Sequence, residues 1–246
     1  MANRRGLTWV ELLVVVVVIG LLVAILLPPL NCSRCVATKT QCAANLKGMG
    51  MTLNIYAAQY EALPSSGAGA GGLVWLTDQT AEFRNMMTGG AKGEVGMKEF
   101  YCPSDRPTDM AKRWEHGAVS VWGYAMLNDR GEEAVGMPVL PARRVPPLEY
   151  FGKIADLKFP ADQELALDLI VSDGAGIGAK FDGVKGGALP EMAYATNHRD
   201  KGKALGANVL CGDGHVSWRP FSSDPTKAVA VKQGGGLEAY IWVPNP

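Results

Sequence analysis

Three side chains in the C-terminal half of the chain belong to types that bind transition metals: His198, Asp213 and His215. Zinc and related ions take imidazole nitrogens and carboxylate oxygens as ligands. Asp213 stands in Gly212-Asp213-Gly214 between two strand-like runs, which places it at the tip of a hairpin, and His215 begins the returning strand. We therefore predict that Asp213 and Gly214 support the turn and that no metal binds, with a site of His198, Asp213 and His215 as the alternative.

Other small ligands find little support in the sequence. Four aspartates offer the hard oxygen ligands that calcium prefers, but their spacing is not that of an EF-hand, so calcium remains only an alternative. They are Asp168, Asp173, Asp182 and Asp213. The glycine-rich runs at 67–72 and 174–187 lack the Gly-Lys-Ser/Thr ending of a phosphate loop. No cofactor is predicted.

Catalysis and nucleic-acid binding are also disfavoured. The sequence has no Gly-x-Ser-x-Gly, and spacing identifies no Ser or Cys partner for any of its three histidines. Cys32 and Cys35 lie one helical turn apart, without a second CxxC for zinc or a following His for haem. Lys and Arg together number 24, as do Asp and Glu, so no net charge attracts nucleic acid. We predict a protein that is not an enzyme.

An apolar segment near the N-terminus dominates the organisation of the chain. It runs from Leu12 to Leu30, follows Arg4 and Arg5, and its neighbour Glu11 is the only acidic residue nearby. From Leu7 to Leu27 there are 21 residues, close to the roughly 20 that a helix needs to cross a bilayer. The two arginines predict a cytoplasmic N-terminus, with the larger C-terminal part of the chain on the other side of the membrane.

A long helix is expected to continue beyond the apolar segment. Pro28 should kink it, because proline lacks a backbone donor and clashes with the preceding turn. Apolar residues then recur at spacings of three and four, which indicates one buried face of an amphipathic helix. They are Leu46, Met49, Leu53, Tyr56 and Tyr60. This gives a membrane helix at 7–30, an amphipathic continuation at 31–62 and a head at 63–246.

The head should be built on strands. Runs rich in β-branched and aromatic residues predict them at 119–127, 164–172, 192–196, 208–211, 215–218 and 239–243. The runs 208–211 and 215–218 flank a three-residue turn containing glycine, which is a strong hairpin signal. The predicted fold class is α+β, with one long helix packed on an antiparallel sheet.

The N-terminal sequence Arg-Arg-Gly6-Leu7-Thr8-Trp9-Val10-Glu11-Leu-Leu-Val resembles the prepilin motif of type IV pilins and of the pseudopilins of type II secretion. The resemblance implies that a prepilin peptidase cleaves after Gly6, leaving 1–6 as a leader, and methylates the amine of Leu7. It also implies that Glu11 pairs with the N-terminal amine of a neighbouring subunit during assembly. Leu7 and Trp9 differ from the commonest residues of the motif but remain apolar.

Later segments resemble the prepilin-type processing-associated H-X9-DG group of pilin-like proteins, abundant in planctomycetes. The matching residues are 41–47, 101–105, 122–126, His198 and 207–216. Between His198 and Asp213 this chain has 14 residues instead of nine, and residues 200–206 account for the insertion. The family motifs place cysteines at Cys42 and Cys102, and the resemblance implies a disulfide between the helix and the head.

These observations predict a structural subunit. The expected function is assembly into a type IV pilus or a type II secretion pseudopilus, through contacts with copies of the chain or other pilin-like subunits. The alternative is a membrane-anchored periplasmic module that binds a ligand or a metal and does not polymerise. Glu11 distinguishes the two, because only the first needs its carboxylate for assembly.

Overall fold

A computed structural model describes residues 8–60, 63–64, 77–90, 94–105, 109–115, 117–127, 164–174, 178–187, 189, 191–223, 228–232 and 238–242. The side chains of residues 25–33, 94–95, 105, 228–232 and 238–240 are outside this description. The protein combines helices with antiparallel sheets and is of the α+β class, as the sequence predicts. It divides into two compact units, Met1–Thr38 and Lys39–Pro246.

The longest element is helix α1, Trp9–Tyr60, with 52 residues. Its backbone is helical throughout this range, Pro28 included, while the side chain of Pro28 lies outside the described residues, so the kink stays a prediction. In the described part of the chain, no helix combines the length and the apolar character needed to cross a membrane.

Three short helices and thirteen strands make up the described part of the second unit beyond α1. The helices are α2 (Ala81–Met87), α3 (Glu94–Met97) and α4 (Met110–Trp114), with single 3-10 turns at Lys98–Phe100 and Pro103–Asp105. The first seven strands are β1 (Asp78–Thr80), β2 (Val119–Val121), β3 (Tyr124–Met126), β4 (Glu164–Asp168), β5 (Val171–Ser172), β6 (Val184–Lys185) and β7 (Ala193–Tyr194). The others are β8 (Arg199–Asp200), β9 (Lys203–Ala204), β10 (Gly206–Cys211), β11 (Val216–Pro220), β12 (Ala228–Lys232) and β13 (Glu238–Trp242).

The central sheet is antiparallel, in the order β11-β10-β4-β3. The hairpin predicted from the sequence is confirmed: β10 pairs with β11, and the turn between them closes with Cys211 N–H donating to the carbonyl of His215 at 2.9 Å. A second sheet has the order β12-β13-β5, and three two-stranded ladders join β1 to β2, β6 to β7 and β8 to β9.

The second half of α1 contributes to the core that covers one face of the central sheet. Leu46, Met49 and Leu53 are buried there, as their spacing predicts, whereas Tyr60 at the end of the same stripe is 58% exposed. The helix comes so close that a Cβ on Gly50 would lie 2.7 Å from the nearest carbon of Leu210. A glycine at this position therefore permits the close approach of helix and strand.

Two of the predicted strands are each interrupted at a point where backbone groups form hydrogen bonds outside the pairing of the strands. At Trp122 and Gly123, between β2 and β3, the N–H groups donate to the carbonyls of Thr77 and Phe100, both at 2.9 Å. At 169–170, between β4 and β5, the carbonyls accept N–H bonds from Asn197 and Trp242. The second interruption passes the chain from the central sheet to the second sheet, because β5 pairs with β13.

Candidate functional site

The described N-terminal end of α1 carries a capping box. Glu11 accepts hydrogen bonds at its Oε2 from Thr8 N at 2.7 Å and from Thr8 Oγ1 at 2.9 Å, and its own N–H lies 3.3 Å from Thr8 Oγ1. This is the Thr-x-x-Glu arrangement that satisfies free donors at the start of a helix. The Thr-x-x-Glu pattern at 8–11 is the sequence signal for this capping role, which the resemblance to prepilins does not include. Gly6 and Leu7 lie outside the described residues.

The first unit presents an apolar helix surface. Within 9–24, the large hydrophobic side chains are between 47% and 78% exposed. They are Trp9, Val10, Leu12, Leu13, Val14, Val15, Val16, Val17, Val18, Ile19, Leu21, Leu22 and Val23. Glu11 is the only charged residue of the chain between Arg5 and Arg34. Contiguous apolar surface of this kind is rare on soluble monomers and typical of protein or membrane contact sites.

A second site lies where the long helix meets the central sheet. Cys42 of α1 is joined by a disulfide to Cys102, with a Cα–Cα distance of 5.5 Å. Both cysteines are fully buried. Cys102 sits immediately before the Pro103–Asp105 turn, and its Sγ lies 3.0 Å from Oγ of Ser104, an exposed residue. The bond therefore ties the helix to a loop of the head, between the two cysteines that the family resemblance indicated.

His198 and Asp168 lie beside this disulfide, and both are buried. His198 Nε2 is 3.7 Å from Cys102 Sγ and 2.9 Å from Asp168 Oδ2. The same carboxylate oxygen accepts two further hydrogen bonds, from the backbone N–H and the side-chain amide of Asn208, each at 2.8 Å. Asn208 also reaches α1, since its amide donates to the carbonyl of Lys39 at 3.1 Å.

The other carboxylate oxygen of Asp168, Oδ1, has no hydrogen-bond partner among the described residues although it is buried. Burying a polar atom without a partner costs on the order of 1 to 3 kcal/mol. Within the described residues, the one group of three or more potential metal ligands consists of Cys42, Cys102, Asp168 and His198, whose ligand atoms all lie within 4.8 Å of one another. The sequence prediction missed Asp168 as the partner of His198, because the two are 30 positions apart and only the fold brings them together.

The structure places His198 and Asp213 in different surroundings. The residues inserted between them form the β8–β9 hairpin, turning at Lys201 and Gly202, and Leu205 N–H then donates to the carbonyl of His198 at 2.9 Å. His198 pairs with Asp168, whereas Asp213 stays at the exposed tip of the β10–β11 hairpin. The alternative metal site of His198, Asp213 and His215 is therefore not assembled as one cluster.

At the hairpin tip, Asp213 and His215 form a local pair. Asp213 Oδ1 accepts from the backbone N–H of His215 at 2.9 Å and lies 2.6 Å from its Nδ1. The backbone bond is the largest cause that lowers the pKa of the Asp213 carboxyl, and the His215 ring adds to it. Gly214 has a positive φ of 83°, and its carbonyl accepts from Lys47 Nζ at 2.6 Å. Asp213 and Gly214 thus support the turn, in the arrangement expected from the sequence.

The remaining candidates do not converge on a site in the described part of the chain. Asp173 accepts at Oδ1 from the backbone N–H of Lys180 at 2.7 Å, Asp182 is exposed, and Asp168 is committed to the buried centre. The four aspartates considered for calcium thus have separate surroundings. Cys35 is a free, exposed thiol, while the side chain of Cys32 lies outside the described residues.

Comparison of the chain with protein-family models, with characterised proteins and with solved structures finds no match.

Proposed function

We propose that this protein is a pilin-like structural subunit, cleaved after Gly6 by a prepilin peptidase and methylated at Leu7. Residues 7–30 are held in the inner membrane before assembly and form the helical core of a type IV pilus or a type II secretion pseudopilus afterwards. The head, 63–246, lies on the periplasmic side. Leu7 and the side chains of residues 25–30 in this membrane segment are outside the described part of the structure.

The observation that carries the proposal is the apolar surface of α1 from Trp9 to Val23, interrupted only by Glu11. Identical helices packed side by side would bury this surface in the filament, where leaving it in water would cost about 0.8 kcal/mol for each CH₂ group. A lipid bilayer can hold the same surface before assembly. The membrane thus acts as a store of subunits, and assembly exchanges lipid contacts for contacts between helices.

Glu11 has two separable properties that an assembly test can distinguish. Its carboxylate caps the helix through Thr8, and its negative charge is available to the amine of a neighbouring subunit. Glutamine at position 11 keeps the capping box, because an amide oxygen also accepts the Thr8 bonds, but it removes the charge. Thr8→Val removes the capping hydroxyl and leaves the charge.

We expect Glu11→Gln to block incorporation into filaments or pseudopili while the protein remains processed and in the membrane. Thr8→Val is the matched control and should still assemble. The measurement is the amount of the subunit in sheared or overexpressed filaments, relative to the amount in the membrane fraction. If Glu11→Gln assembles as wild type does, the charge pairing is refuted. If the wild-type protein is itself absent from filaments, the membrane-anchored module that does not polymerise becomes the better account.

A further inference from the structure

We propose that Cys42, Cys102, Asp168 and His198 form a zinc site when a dithiol reductant opens the Cys42–Cys102 disulfide. The centre would then exist in two exclusive states, a disulfide when oxidised and a four-ligand metal site when reduced. Two thiolates, one imidazole and one carboxylate are a ligand set suited to zinc. The proposal does not depend on polymerisation.

The ligand atoms are already close to the separations that a tetrahedral ion needs. With Zn–S near 2.3 Å and Zn–N or Zn–O near 2.0 Å, neighbouring ligand atoms stand about 3.3 to 3.8 Å apart. The Nε2 atom of His198 is 3.7 Å from Cys102 Sγ and 2.9 Å from Asp168 Oδ2. The two sulfurs separate to about 3.8 Å once the bond between them is broken. The four ligand atoms, which lie within 4.8 Å of one another, then close around the ion.

Neighbouring residues fix the orientation of two of the four ligands, as the residues around a bound metal commonly do. Metal-binding carboxylates are usually oriented by hydrogen bonds from a second layer of residues, and Asn208 supplies two such bonds to Asp168 Oδ2. The unpartnered Oδ1 of Asp168 offers a free acceptor in the same buried space. The Trp218 ring packs edge-on against His198, with ring centroids 5.3 Å apart, and restricts the orientation of the imidazole.

The chemistry balances with a dithiol as the co-reactant. The dithiol is oxidised to its own disulfide, and its two electrons and two protons convert Cys42–Cys102 into two thiols. Zinc then displaces both thiol protons to solvent, and His198 binds through Nε2 as the neutral imidazole tautomer that carries its proton on Nδ1. The reductant and the metal would reach the cysteines beside Ser104, an exposed residue whose Oγ contacts Cys102 Sγ.

Cobalt(II) is the probe, because tetrahedral thiolate coordination gives it intense visible absorption. The experiment uses the full chain with Cys32→Ser and Cys35→Ser, which removes the neighbouring CxxC pair. One sample is reduced by a dithiol and desalted without oxygen, and the other stays oxidised. We expect about one tetrahedral cobalt per reduced chain, displaced by zinc, and none in the oxidised chain.

Variants then assign the ligands. His198→Asn should weaken cobalt binding by more than about 100-fold, and Asn208→Ala, which removes only orienting bonds, by about 10- to 100-fold. His215→Asn, at the exposed hairpin tip, is the matched control and should bind as the parent does. Near-ultraviolet circular dichroism of each oxidised variant checks that it has folded.

Three results would overturn the site. They are a folded reduced chain that takes up no cobalt, binding that His198→Asn leaves unchanged, and a reduced chain that unfolds and is not restored by the metal. Each is distinguishable from failure of the assembly proposal, since none of these measurements involves filaments.

Discussion

Opening the Cys42–Cys102 disulfide should lower the free energy of unfolding by about 4 kcal/mol. The two cysteines are separated by 60 positions, and a cross-link over such a loop removes roughly 14 cal/mol/K of entropy from the unfolded chain. At 25 °C this entropy corresponds to about 4.3 kcal/mol. For a chain of this size, the melting temperature should fall by about 9 to 17 °C.

The assay is guanidinium denaturation of the oxidised and reduced full chain, followed by tryptophan fluorescence. Trp122 is 1% exposed and belongs to the same core cluster as both cysteines, so it reports on the unfolding of this region. A chelator is present throughout, so that no metal stabilises the reduced state. Cys35→Ser, which removes an exposed thiol outside the disulfide, is the control and should show the same difference between its oxidised and reduced forms.

If reduction lowers the free energy of unfolding by less than about 1 kcal/mol, this reasoning is refuted, because the cross-link would then not constrain the unfolded chain. If Cys35→Ser instead abolished the difference, the stabilising bridge would involve Cys35 and the assignment to Cys42 and Cys102 would be wrong.

Three further perturbations follow from individual contacts. Gly50→Ala should be less stable than Gly48→Ala by about 1 to 3 kcal/mol in denaturant melts, because a Cβ at 50 would lie 2.7 Å from the buried side chain of Leu210 while a Cβ at 48 has nothing within 4 Å. Equal stabilities would contradict this close contact. The pKa of Asp213, followed by NMR, should lie below its ordinary value of 3.8, so its stabilising effect is present above that pH and is lost as pH falls through the lowered value. His215→Ala should return the pKa of Asp213 only part of the way to its ordinary value, because the backbone N–H of residue 215 still donates to the carboxylate. A full return would assign the shift to the imidazole ring. Tyr101→Phe should cost about 1 kcal/mol in a thermal melt by removing a buried hydroxyl that donates to a carbonyl at 2.6 Å, and an unchanged melting temperature would show that this bond adds nothing.

The parts of the fold that local patterns specify were predictable. The helical burial of Leu46, Met49 and Leu53 follows from their spacing, and the β10–β11 hairpin follows from the glycines that flank Asp213. Such features depend on residues within one or two turns of each other, so the sequence alone carries the signal. The capping box of Thr8 and Glu11 is of the same kind, and a reading of Thr-x-x-Glu would have found it.

The buried centre could not be predicted from spacing. His198 meets Asp168 because β4 and the segment before β8 converge, and nothing in either local sequence specifies this contact. The interruption of the strand at Trp122 and Gly123 likewise depends on remote carbonyls that take the two N–H groups out of the sheet ladder. Both features depend on hydrogen bonds between residues that are distant in the sequence, and no local sequence pattern predicts such bonds.

The most direct test of the proposed function is the intact mass and N-terminal sequence of the protein purified from membranes of its own host. Our account predicts a chain that begins with N-methylated Leu7 and lacks residues 1–6. A chain that retains Met1, or one cleaved after residue 30, would contradict prepilin processing and with it the assignment of a pilin-like subunit.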